Sequence, residues 1–145
     1  MTDPRSAPEG WMLFERHDGH AANVGPFYRR AAGAGVGFFA EKRHLNLAGI
    51  VHGGMLLTLA DNALFNICWV KIGAFRGVTL SLSTEFISPG REGTFIEASG
   101  EVLRAGRSVL FARGVVTSGE ETLLNFSGAI KRVDQNRPPP ADTVK

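Results

Sequence analysis

Residues 53–73, GGMLLTLADNALFNICWVKIG, form one long apolar run with no internal proline, and four β-forming runs follow it without a second helix. Leu56, Leu59, Ala60, Ala63 and Ile67 recur at the three-to-four spacing of a buried helical stripe, and Gly73 is a natural stop. The run is apolar on nearly every side, so it has to be wrapped by a sheet or by another subunit. The β-forming runs are 77–87, 93–105, 107–118 and 121–133, separated by SPGRE, AG and GE. Breaks this short and glycine-bearing join antiparallel neighbours. Within the first run, Val78, Leu80, Leu82 and Phe86 alternate with Thr79, Ser81, Ser83 and Glu85, which predicts one apolar and one polar face. A helix and an antiparallel meander make an α+β plan.

The rest of the chain is read as follows. Residues 11–32 predict one or two short helices, with Pro26 in the first turn of the second. VGFFAEKRH, 36–44, predicts a strand. The expected organisation is a single domain over 1–133 with an N-terminal helical segment, about 1–32, and a disordered tail over 134–145, where Pro138 to Pro140 fall. Sixteen basic residues against fourteen acidic ones leave no case for nucleic acid. Cys68 is the single cysteine, which excludes an internal disulfide and a multi-cysteine zinc site, and fits a reducing cytoplasm, the expected location. No uninterrupted apolar run reaches the ~18–20 residues of a membrane span, and the first residues lack the apolar core of a secretory signal, so no membrane partner is expected.

Chemistry concentrates in HLNLAGIVHGGMLLTLADNA, 44–63. Gly53 and Gly54 stand where a loop enters the long helix. Backbone N–H groups there lack intrahelical partners and suit an oxygen gaining negative charge, although a glycine pair also serves a tight turn. Asp61 lies eight residues beyond Gly53, about 12 Å along one helix. One reacting carbonyl cannot touch both from the same chain, so cooperation between them requires a second, antiparallel copy. A solvent-facing Asp is the plainer reading. Asn46 can orient a carbonyl or a water, or cap its loop. His52 can donate a hydrogen bond or pack the loop, and Thr79 can hold a water or simply favour a strand. HDGH (17–20) has no zinc spacing, GAGVG (33–37) fails the dinucleotide fingerprint, no serine occupies a nucleophile elbow, and Cys68 reads as inert packing.

His44-x-Asn46-x-x-Gly49-x-x-His52-Gly53-Gly54, then Leu59-x-Asp61-Asn62, resembles the hotdog-fold acyl-CoA thioesterases of the phenylacetic-acid-degradation type, and the likeness extends over roughly 35–133. The resemblance implies a long central helix wrapped by a curved antiparallel sheet, homodimers with a continuous sheet, often paired into homotetramers, and acyl-CoA as substrate. It implies Asp61 as general base or nucleophile, the Gly53 amide polarising the thioester carbonyl, Asn46 and Thr79 placing carbonyl or water, and His52 within the motif. It implies that carboxylate and amide come from different subunits, with no metal or cofactor. Arg91, Arg104 and Arg107, with Arg76 a weaker candidate, would meet the phosphates of coenzyme A. Trp11, Phe14 and Phe27 either close the acyl tunnel or pack on the helix. A hotdog hydratase or dehydratase and a non-catalytic acyl-CoA-binding domain are the alternatives.

Overall fold

The computed structural model describes residues 6–15 and 18–133; the expected tail and His17 lie outside them. Seven strands and two helices follow one another as β1 (Trp11–Phe14), α1 (Gly19–Val24), β2 (Phe27–Arg30), β3 (Val36–Phe39), a 3-10 turn (Lys42–His44), α2 (Gly53–Ile72), β4 (Gly77–Phe86), β5 (Phe95–Ala105), β6 (Val109–Ser118) and β7 (Glu121–Arg132). All strands join one antiparallel sheet in the order β1-β2-β3-β5-β6-β7-β4.

Helix α2 has its predicted extent. It ends at Gly73, whose φ of 87° is a left-handed conformation that glycine takes without steric cost. The predicted stripe is buried, and Leu59, Ala60 and Ala63 have no exposed surface. Twenty residues at 1.5 Å rise make a rod about 30 Å long, close to the length of the ten- to twelve-residue strands it lies against. By length and a mean hydropathy of 1.3, α2 meets the measure of a membrane span, contrary to expectation. Half of that stretch is packed inside the fold, so its apolar character serves the core.

Four expectations are corrected. The N-terminal segment holds one short helix, the six-residue α1, and two strands that were not expected: β1 and β2 form a hairpin-like pair around α1, and Phe27 enters β2 immediately after Pro26, where a second helix was expected to start. Four-residue strands carry little local signal and are held by pairing with neighbours. The strand expected over 36–44 stops at Phe39 and gives way to the 3-10 turn, where the Glu41 N–H donates to His44 Nδ1 at 2.9 Å. His44 Nε2 then donates to the Val24 carbonyl at 2.6 Å, and the Arg43 guanidinium donates to the carbonyls of Asn23 and Gly25. The third correction concerns β4, which pairs with β7 and not with β5. Its connection to β5 passes the start of α2, where the Gly90 carbonyl accepts from Val51 N–H at 2.8 Å.

The fourth correction concerns the two faces of β4. A bulge lies between Thr79 and Ser81: Thr79 opposes Ile130 and Ser81 opposes Ala129, leaving Leu80 as the extra residue. The bulge reverses the alternation. Thr79 shares the helix-facing side with Leu82, Thr84 and Phe86, opposite the buried Ile130, Phe126 and Leu124. Thr79 therefore points at α2 despite standing among residues predicted to form an outer polar face.

Leu59→Ala should lower stability by about 2–5 kcal/mol, the range for emptying a buried leucine site. A fall in the urea midpoint with unchanged denaturant slope is the expected result.

Candidate active site

The α2 N-terminus is built by His52. Its ring Nδ1 accepts from Gly54 N–H at 2.8 Å, and its carbonyl accepts from Met55 at 2.9 Å and Leu56 at 3.3 Å. The Gly53 N–H is thereby left without an acceptor among the described residues. Space is tight at Gly54, whereas at Gly53 a small shift of the exposed Phe86 ring would admit a Cβ. A Cβ at Gly54 would lie 2.9 Å from the His52 ring, and one at Gly53 would lie 3.2 Å from the Phe86 ring. Gly53 opens into a depression of about 390 Å³ shared with Asn46, Leu56, Phe86 and Gly90.

Asn46 folds its own loop. Its Oδ1 accepts from the amides of Ala48 at 2.9 Å and Ile50 at 3.3 Å. This is the turn-capping role, with the side chain still on the wall of the Gly53 depression. His52 caps the helix through its ring, a role not weighed for it from the sequence.

Two turns along α2, Asp61 is half-buried and meets Thr79 across from β4. The Thr79 hydroxyl donates to Asp61 Oδ1 at 2.7 Å, which the β4 bulge makes possible. Oδ2 has no protein partner among the described residues. A carboxylate with one oxygen tethered and the other open is positioned to accept a proton or attack an electrophile. Asp61 opens into a separate pocket of about 200 Å³ with Phe14, Asn62, Phe65, Asn66 and Trp69. Within one chain, then, the structure joins Asp61 to Thr79 and Asn46 to Gly53, but does not join the two pairs.

The arginines divide in the same way. Arg91 lies on the β4–β5 connection, next to the Gly90 rim of the Gly53 depression. Arg104 and Arg107 lie at the far end of β5 and in the turn after it, on the same level of the sheet as Thr79 through the row Thr79, Ile130, Leu110, Ala105. The eleven-residue β5 places roughly 30 Å between the two groups. All three are exposed. Trp11 packs away from both pockets, edge-on to Phe95 at 5.0 Å and beneath the Arg30 guanidinium at 4.8 Å, while Phe27 is in the core. Burial pushes the Cys68 thiol up from its usual range, in keeping with inert packing. Among the described residues no cluster of His, Cys, Asp and Glu is arranged to hold a metal.

The sequence reading overlooked Phe86, Phe65, Trp69 and Asn66. Phe65 and Trp69 stand four and eight positions after Asp61, so helical spacing alone placed them on its face. Asn66 is a buried polar residue whose Oδ1 accepts from Gly35 N–H at 2.8 Å, binding the β2–β3 turn to α2.

One long helix packed against a seven-stranded antiparallel sheet is the hotdog arrangement. The sequence profile of the thioesterase superfamily matches residues 48–125, and the chain belongs to that superfamily. It is 29% identical over 127 residues to a Pseudomonas aeruginosa protein with the provisional name of esterase, covering 85% of this chain and 95% of that one. It is 32% identical over 72 residues to human acyl-coenzyme A thioesterase 13, a match spanning 49% of this chain and 51% of the human protein. In three dimensions it resembles the E. coli PaaI protein from the phenylacetic acid degradation operon, with a TM-score of 0.64, 23% identity, and coverage of 74% of this chain and 73% of that one. The last likeness bears on fold.

His52→Ala should cost about 0.5–2 kcal/mol by removing the cap of α2. Thermal unfolding of the variant beside the parent measures it.

Proposed function

We propose that the protein hydrolyses acyl-CoA thioesters to a carboxylic acid and free coenzyme A, at a site shared between two copies of the chain. The observation that carries this reading is the division of the two polar pairs. A tethered carboxylate and an undonated helix-start amide lie in separate pockets, about 12 Å apart along α2. Either alone lacks half of what thioester cleavage needs. An antiparallel pair of α2 helices supplies both halves, twice.

The sheet offers the means of pairing. Strand β4 is one of its two edges, with one side unpaired among the described residues and with Val78 and Leu80 more than half exposed. An exposed apolar edge strand is a template for another strand. Antiparallel pairing of β4 with its own copy would continue the sheet and set the two α2 helices side by side in opposite directions. A homodimer is the minimum this reading requires, and a homotetramer would be a pair of such dimers. Each site would then join a Gly53 end to an Asp61 end, drawing Arg91 from one copy and Arg104 with Arg107 from the other toward the phosphates of coenzyme A.

In this arrangement the thioester carbonyl oxygen accepts from Gly53 N–H, which stabilises the charge that develops there. The Asp61 carboxylate, oriented by Thr79, deprotonates the attacking water, or attacks the carbonyl carbon itself to give a mixed anhydride that water then hydrolyses; on either route the carbon–sulfur bond breaks and coenzyme A departs as the thiolate. The activity named in human acyl-coenzyme A thioesterase 13 supports the same reaction class.

Asp61→Asn should reduce thiol release from acyl-CoA by about 10²–10⁴-fold while unfolding as the parent does. A wild-type rate would end the assignment. Gly53→Pro removes the donor amide at the first helical position, where proline is tolerated. Subunits carrying Gly53→Pro and subunits carrying Asp61→Ala should each be inactive and should regain activity when exchanged into mixed dimers. Absence of rescue after mass spectrometry has shown heterodimers would rule out a shared site.

A further inference from the structure

The two pockets differ in character. The Gly53 depression is the larger and more open, and it borders the Arg91 connection. The Asp61 pocket is the more enclosed, and three aromatic rings, Phe14, Phe65 and Trp69, wall it. Two of those rings are held from behind. Phe75, itself buried, stacks on Phe65 with centroids 5.9 Å apart at 15°, and meets Trp69 edge-on at 6.1 Å. The Trp69 Nε1–H also donates to the Phe75 carbonyl at 3.2 Å. A swing of the indole out of the pocket would forfeit that hydrogen bond and the ring contact together. Phe14, packed against the core from β1, forms the facing wall.

We propose that the Asp61 pocket receives the acyl group, and that Trp69 and Phe14 are specificity-determining residues that close its far end. The proposal rests on the thioesterase reading above. An apolar cavity of about 150 Å³ takes one benzene ring, so a pocket near 200 Å³ accepts an acyl group of about six to eight carbons. The rigidity of the wall makes the limit sharp. A chain that is too long has to displace a ring anchored at two points, whereas a flexible aliphatic wall would adapt. The coenzyme arm leaves through the Gly53 side, toward Arg91.

The test is kcat/KM for straight-chain acyl-CoAs from two to fourteen carbons, measured for the parent, Trp69→Ala and Phe14→Ala, each checked by thermal unfolding. The parent should peak at or below about eight carbons and fall by tenfold or more over the next few methylenes. Trp69→Ala should move the peak to longer chains, raising kcat/KM for ten- and twelve-carbon substrates about tenfold or more over the parent. Phe14→Ala should move it in the same direction, and it decides the matter if Trp69→Ala does not fold. A parent that prefers ten carbons or more, or folded variants whose chain-length profiles superimpose on the parent's, would overturn the inference and leave the thioesterase reading standing. A parent that hydrolyses none of the series removes both.

Discussion

Helix α2 has to bury the apolar stripe Leu56, Leu59, Ala60, Ala63 and Ile67, and most of the molecule is organised around that constraint. The sheet covers one flank with Ile96, Ala98, Leu110, Ala112, Leu124 and Ile130, all buried. Covering a rod about 30 Å long takes strands of ten to twelve residues, and four such strands follow the helix directly. Asp61 escapes the core because it sits at the margin of this contact, where β4 can reach it with a hydroxyl.

Where β4 is concerned, one inserted residue decides the chemistry. Without the bulge at Leu80, Thr79 would stay on the face opposite Leu82 and Phe86, away from the helix. With it, the same strand sends Thr79 to Asp61 and Phe86 to Gly53, so a single edge strand touches both halves of the proposed site. Since that strand also presents the free edge, pairing of subunits and formation of the site would be one event.

What the sequence disclosed follows from how local each signal is. Helix α2 was legible because its spacing and its terminal glycine are properties of the segment alone. The last three strands were legible for the same reason. The bulge was not, because an extra residue in a run of Val, Leu, Ser and Thr leaves no compositional mark. Nor was the partner of β4: SPGRE is as short as a hairpin loop, and only the contact of Gly90 with Val51 shows that it travels past the helix instead. The strands β1 and β2 within residues 11–32 were not legible because four-residue strands owe their conformation to pairing. Asp61, Gly53 and Thr79 stood out through motif resemblance. The side chains of Asn46 and His52 are occupied in shaping the loop and capping the helix that display Gly53.

The capture of three successive carbonyls, those of Asn23, Val24 and Gly25, by Arg43 and His44 has a consequence beyond the fold of that corner. It pins the N-terminal strands to the segment that leads into Asn46 and the head of α2. The outermost part of the chain, which delivers Phe14, is thus fastened to the same short stretch that delivers the Gly53 amide. Drift in that fastening would be felt at both ends of a bound molecule at once, so under the proposed reading selectivity and reactivity would be mechanically linked through two neighbouring side chains that touch neither.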